Sequence, residues 1–286
     1  MTDHQIDKLI DQAAKSNKPI ARVVTLNAAL ADELLSRAAP NRDVRPSRVA
    51  KYRTDMEGGH WVLNGEPIIV SSDGKLIDGQ HRCLAIRDTT ASVDVLLVLG
   101  VQPAAMATMG QGVPRTAGDY LGIEGEPNAR TCANIARLML AYRRNDGEAL
   151  RDTAKPTNAE VLEFYHDHRD DIQRSAALAL AHKESVQSLV APGVLGFCHA
   201  VLEAIDQTAA DDYITQVAKG ELLEETDPAY VVRNRLLNMG KSGAAKKASV
   251  IFAGWNAFRA GRSLKSIRVS TRLPMLAGAN GGPGDA

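Results

Sequence analysis

"GEPIIVSSDGKLIDGQHRCLAI", residues 65–86, decides how the first third of the chain folds. "EPIIVSS" and "KLID" read as two strands around the turn "SDG", because an Asp-Gly pair between apolar runs is a strong hairpin signal. Gly79 then hands the second strand over to a helix, "GQHRCLAIRDT", and "SVDVLLVLG" follows as a further strand. Upstream, "DHQIDKLIDQAAK" places Ile6, Leu9, Ile10 and Ala13 at helical spacing, and "ARVVTL" reads as a strand. Asn27 is an N-cap for "NAALADELLSRAA", and after the loop "PNRDVRP" the helix "SRVAKYRTDMEGG" is basic and stopped by its glycines. Residues 1–112 are therefore expected to form one small domain of strands and helices.

Beyond residue 112 no strand pattern recurs. "NARTCANIARLMLAYRRND", "TNAEVLEFYHDHRDDIQRSAALALAH", "PGVLGFCHAVLEAID", "AADDYITQVAKG", "PAYVVRNRLLNMG" and "AAKKASVIFAGWNAFRAG" all read as helices, the second capped by Thr157 or Asn158. Phe252, Trp255 and Phe258 fall at three- and four-residue spacing, which places them in a core. The expectation is a mixed α+β chain: a helical domain over 113–275 and a small, polar, Gly-rich disordered tail over 276–286.

With 286 residues and 44% hydrophobic content the chain can bury a substantial core. It has no run of about 18 apolar residues, and its first residues, "MTDHQIDKLIDQAAKSNKP", are charged. No membrane partner and a cytoplasmic location are expected. Cys83, Cys132 and Cys198 lack CxxC spacing and read as reduced structural thiols. His166 and His168 stand roughly 200° apart on a helix, so no metal site is expected.

Charge sums to zero but is unevenly spread. From Pro228 to Gly284 there are ten Lys or Arg residues and no Asp or Glu, directly after the acidic "ELLEETD" of 221–227. Such asymmetry points to a polyanion or to packing against the acidic segment. Lys246, Lys247, Arg259, Arg262, Lys265 and Arg268, with Arg48 and Lys51 on the basic helix of the first domain, are the nucleic-acid candidates; a solvated helix face is the alternative for the latter pair.

At residues 78–82 the amino end of a helix follows a glycine, so its first N–H groups face outward and attract anions. Gly79 admits close approach of a ligand, and Arg82, one turn in, can offer a forked pair of donors to phosphate. His81 can donate or carry a proton. Asp78 can cap the helix, orient His81 or Arg82, or help hold Mg2+. The same residues also suit a capped, solvated turn.

"GQHRCLA" resembles the GxxRxxA pattern of the ParB N-terminal domain, and "DGQHR" is similar to the DGHHR and GCHR signatures of the wider ParB and sulfiredoxin superfamily, which includes free serine kinases. "GEPI" stands about ten residues before the signature, as it does in that superfamily. The resemblance covers residues 20–112 and is specific over 65–86. It implies a small domain that binds a nucleoside triphosphate, ATP or CTP with Mg2+, through Gly79, Gln80, His81 and Arg82. ParB proteins use CTP to close a clamp on DNA, sulfiredoxins use ATP to repair an oxidised protein, and the kinases phosphorylate serine. Sulfiredoxin chemistry is disfavoured, because Gln80 stands where its cysteine precedes the histidine and Cys83 lies two residues beyond His81. No helix-turn-helix or C-terminal leucine-rich dimer segment follows. The order "NGEPI", "DGQHR", "GQGVPRTAGDYLG" (110–122) is most similar to phage and mobile-element ParB-like proteins.

In that last segment Arg115 is a second phosphate candidate and Thr116 a helix cap, with an ordinary linker as the alternative. Glu66, at a strand entrance, joins Asp78 and His81 as a candidate base or acid. The expected function is a triphosphate-binding protein acting on or along DNA, with hydrolysis of the nucleotide and a homodimer both open. A phosphotransferase for a small molecule or modified nucleotide is second, and a nuclease third.

Overall fold

The inward alternation of Val93, Val95, Leu97 and Leu99, all under 9% exposed, makes β4 (Val93–Val101) an inner strand of a four-stranded sheet in this computed structural model. β1 (Ile20–Leu26) pairs with it antiparallel on one side and β2 (Pro67–Ser71) parallel on the other, and β3 (Leu76–Asp78) closes the order β1-β4-β2-β3. A parallel pair needs a crossover, and here it is built from β3 and α4 (Gln80–Arg87). The Asp-Gly hairpin is present, with the three residues of "SDG" as its loop. Ser72 and Asp73 turn the chain, and Gly74, at φ +76°, closes it with Ser71 N–H bonded to the Lys75 carbonyl at 2.8 Å.

Three helices flank these strands. α1 (Asp3–Lys15) precedes β1, and α2 (Ala28–Ser36) starts where the Asn27 side chain accepts from Leu30 N–H at 3.0 Å. α3 (Pro46–Glu57) starts on proline, whose fixed φ suits the first helical position. Leu30, Leu34, Met56, Ile68, Val70, Cys83 and Ile86 join the inner face of β4 in one core.

The structure describes residues 3–15, 18–39, 43–109, 112, 114–150, 155–186, 189–221 and 223–278. The chain is of mixed α+β class and divides into two units, Met1–Pro114 and Arg115–Ala286, two residues beyond the boundary expected at 112. Gly110, in the "GQGVPRTAGDYLG" segment, lies outside the described residues.

The second unit is helical throughout its described elements: α5 (Ala117–Ile123), α6 (Ala129–Arg144), α7 (Asn158–Asp167), α8 (Arg169–Ala181), α9 (Lys183–Val186), α10 (Pro192–Glu203), α11 (Gln207–Lys219), α12 (Pro228–Leu237) and α13 (Ala244–Arg259). α10 is apolar but for His199 over its buried run from Gly193 through Leu202, so it runs through the middle and packs on α6, α8, α11 and α13. Thr116 and Thr157 head α5 and α7, each in a reciprocal capping box, with Asp119 and Glu160 respectively.

Two expectations are corrected here. The segment 157–182 is two helices, broken at His168, whose ring stacks on Phe164 at 4.3 Å and whose Nδ1 donates to the Phe164 carbonyl at 3.1 Å. Residues 276–278 are not tail: Leu276 is buried, Ala277 N–H donates to Asn256 Oδ1 at 2.7 Å and the Ala277 carbonyl accepts from Trp255 at 3.3 Å. The rest of the expected tail, 279–286, lies outside the described residues. Phe252 and Trp255 are fully buried and Phe258 packs against them, as their spacing required.

Candidate functional site

Gly79 turns the chain from β3 into α4 at φ +96°. A Cβ there would lie 2.8 Å from Ile68 Cγ1 and 3.1 Å from Ile68 Cα. Glycine is therefore demanded by the protein's own β2 and by the left-handed turn, and the close approach expected of a ligand is made by Ile68.

The fork of Arg82, expected to face phosphate, is closed on the protein instead. The side chain is 8% exposed; Nη1 donates to the Glu66 carbonyl and Nη2 to the Pro67 carbonyl, both at 2.7 Å, with Asp78 Oδ2 3.7 Å away. These two carbonyls stand at the entrance to β2, so the guanidinium fastens α4 to that strand. His81 is likewise turned inward. It is 7% exposed, and its Nε2 accepts from Arg45 N–H at 3.0 Å. A backbone N–H can only donate, so Nε2 carries its lone pair there and is not a proton donor to a ligand. Both residues are positioning groups in this geometry.

What the His81 bond achieves is the joining of two helix ends. Arg45 is the residue before α3 and His81 lies in the first turn of α4, and neither helix has a side-chain cap. The N–H groups of Ser47 and Gln80 have no partner among the described residues. Arg45 is exposed and Arg48 half-buried, one turn into α3, and neither side chain has a described partner. Two partial positive ends thus meet at one place, with Arg45 at the start of α3 and Arg48 within its first turn, and each end favours an anion by about 0.3–1 kcal/mol at a solvated surface. Local pattern places Arg45 and Arg48 on or beside a basic helix. That the Arg45 main chain stands against the first turn of α4 follows from the long-range His81 contact, which no local pattern encodes.

The acidic candidates lie beside this junction. Asp78, with its side chain 39% exposed, accepts from Gly79 N–H at 2.8 Å through Oδ1 and so steadies the turn. Glu66 is exposed, and its main chain is the carbonyl held by Arg82. Gln80 is half-buried, and its Oε1 is enclosed without a hydrogen-bond partner. Cys83 is fully buried, which pushes its thiol up to about 12, so no nucleophilic thiolate forms there near neutral pH. Among the described residues no group of three or more His, Cys, Asp or Glu is placed to hold a metal ion.

Arg115 and six of the eight nucleic-acid candidates belong to the second unit, and Arg48 and Lys51 to the first. Arg115 is exposed and its carbonyl accepts from Asn158 at 2.8 Å. Two of the six are committed internally. Lys247 Nζ donates to the Leu189 carbonyl at 2.6 Å, and burial lowers its pKa. Arg259 pairs with Asp206 and lies 5.4 Å over the Trp255 ring.

One polar chain in this unit has no signal in the sequence. Ser175 Oγ lies 2.8 Å from His199 Nδ1, and His199 Nε2 lies 2.8 Å from Asp211 Oδ1, a Ser–His–Asp chain in which the two ring nitrogens are exchanged relative to a hydrolytic triad. Ser175 and His199 are completely buried, so no substrate reaches the hydroxyl, and the chain ties α8, α10 and α11 together. Among the described residues no helix is long and apolar enough to cross a membrane. No protein-family model, curated protein or solved structure matches the chain.

Proposed function

We propose that the protein binds a nucleoside triphosphate, ATP or CTP with Mg2+, in the manner of a ParB-like domain, and acts on DNA. The phosphates sit at the joined amino ends of α3 and α4. The observation that carries this reading is the His81–Arg45 hydrogen bond, which brings together two helix ends that have no side-chain cap. Ser47 and Gln80 N–H groups and the Arg45 and Arg48 side chains bind phosphate oxygens, and His81, Arg82 and Gly79 hold the ends in place. Asp78 and Glu66 are the carboxylates within this neighbourhood for Mg2+, which usually takes one or two protein carboxylates beside the phosphates. Bound Mg2+ neutralises phosphate charge.

A phosphotransferase reading of the same place has one observation in its favour. The Arg82 guanidinium holds the Glu66 main chain and lies 3.7 Å from the Asp78 carboxylate, so Asp78 stands at the entrance to β2 as an acid that can take the proton of an acceptor hydroxyl. Nucleotide consumption that rises only with a hydroxyl-bearing acceptor would favour it.

Calorimetric titration of ATP, CTP, GTP and UTP, each with Mg2+, tests the main reading on the wild type and on an Arg45→Ala/Arg48→Ala variant. Binding of at least one nucleotide, weakened tenfold or more in the variant, is expected. A folded wild type that binds none of the four overturns it.

A further inference from the structure

The ten cations of residues 228–272 separate into two classes once their partners are known. Arg233 donates to the Val217 carbonyl at 3.1 Å and to that of Ala218, closing the end of α11. Lys247 and Arg259 are engaged as described, and Arg272 pairs with Glu148 at 2.6 Å. The other six, Arg235, Lys241, Lys246, Arg262, Lys265 and Arg268, are exposed and have no partner among the described residues.

Three of the six stand on a strap that follows α13. Residues 262–273 form no helix or strand, yet the strap is pinned along its length. Leu264 N–H donates to the Thr226 carbonyl at 2.8 Å, Ser270 N–H to Ser249 Oγ at 3.2 Å, and Leu273 N–H to the Glu148 carbonyl at 2.7 Å. Ile267 and Leu273 are buried. The anchored positions 264, 267, 270 and 273 recur every third residue, and Arg262, Lys265 and Arg268 recur at the same interval on the exposed side.

Three residues of extended chain reach at most about 10 Å, so the outer two cations can stand as much as about 20 Å apart. A single triphosphate is too short to engage such a row, whereas a duplex carries one charge per about 1.7 Å along its axis. The two ends of the strap also differ. Thr226, which holds Leu264, lies between Glu225 and Asp227, so the Arg262 end is acid-flanked. At the other end Ser249 Oγ donates to the Lys246 carbonyl and accepts from Ser270, which brings Arg268 and Lys246 into one neighbourhood at the uncapped start of α13.

We propose that the 262–268 strap, together with Lys246, is a rail for the phosphate backbone of nucleic acid that reads charge and spacing rather than base sequence. The proposal rests on the reading that the protein acts on DNA and assigns that interaction to named residues. Arg268 and Lys246 contribute more than Arg262, and Lys247, Arg233 and Arg272 do not belong to the rail.

Binding of the full chain to a fluorescent 25-base-pair duplex of arbitrary sequence, measured over a series of salt concentrations, tests it. Lys265→Ser/Arg268→Ser is expected to lower the log–log salt slope by about 2, roughly 0.9 for each phosphate that the variant no longer neutralises, and to weaken low-salt binding tenfold or more on any sequence. Arg272→Ser is expected to leave the slope unchanged, and Arg262→Ser to lower it less than Arg268→Ser. If the wild type binds the duplex and the double variant keeps its slope, the rail is wrong while the DNA reading stands. If the wild type binds no duplex at low salt, both fail. Titration of inorganic tripolyphosphate into the double variant is unchanged from wild type under this account; a tenfold weakening there would place the strap in the triphosphate site and overturn the separation of the two.

Discussion

Arg82 carries five N–H donors, and the protein spends the forked pair on two main-chain carbonyls that β-pairing leaves at the mouth of β2. Part-buried carbonyls deprived of a charged donor cost up to about 1–3 kcal/mol each. Arg82→Lys removes the fork while keeping the charge, since one ammonium cannot present two parallel donors at fixed spacing. Chemical denaturation is expected to show this variant less stable by about 2–4 kcal/mol. Its affinity for tripolyphosphate, measured below the unfolding transition, is expected to stay within threefold of wild type. A variant that keeps its stability and no longer binds phosphate would return Arg82 to the role its motif suggested. The sequence pattern singles out five residues, Asp78 to Arg82, but not the direction in which two of them point. DGxHR specifies a turn and a helix start, whereas the side-chain partners Glu66, Pro67 and Arg45 lie 15 to 36 residues away.

Elements are more legible than contacts. Asn27, Thr116 and Thr157 cap their helices through local bonds that spacing alone implies, and the β4 alternation fixes which face of the sheet is inward. The break at His168 is not legible, because it uses no proline or glycine and depends on a ring stack and a carbonyl contact. α10 shows how close packing constrains an element. A Cβ at Gly196 would stand 2.5 Å from Ile135 Cδ1 and 3.1 Å from the Ser175 carbonyl. Glycine in a helix interior gives up about 1 kcal/mol of propensity, so alanine would normally stabilise there, but overpacking costs about 1–3 kcal/mol. Gly196→Ala is therefore expected to lower the unfolding midpoint, and Ile135→Val, which removes Cδ1, to recover part of the difference. A Gly196→Ala protein more stable than wild type would show that α6 and α8 yield more readily than this packing implies.

At the scale of the whole molecule the zero net charge conceals a division of labour among cations. Those at 233, 247, 259 and 272 are engaged by partners within the helical unit, and those at 235, 241, 246, 262, 265 and 268 face solvent. Composition locates the basic region and cannot sort it, since a lysine bonded to a carbonyl and a lysine in water read alike in sequence. The two-unit organisation is legible from the point where strand patterns cease, near residue 112, and the last packed residues are not, because Leu276 and Ala277 sit in a Gly-rich context. In the first unit, phosphate is proposed to be held where α3 and α4 begin. Amide chemical shifts of the full chain, followed while inorganic tripolyphosphate is titrated in, test this most directly. The largest saturable shifts are expected at Ser47, Arg48, Gln80 and His81. Shifts confined to other residues, or none at millimolar tripolyphosphate, would contradict it.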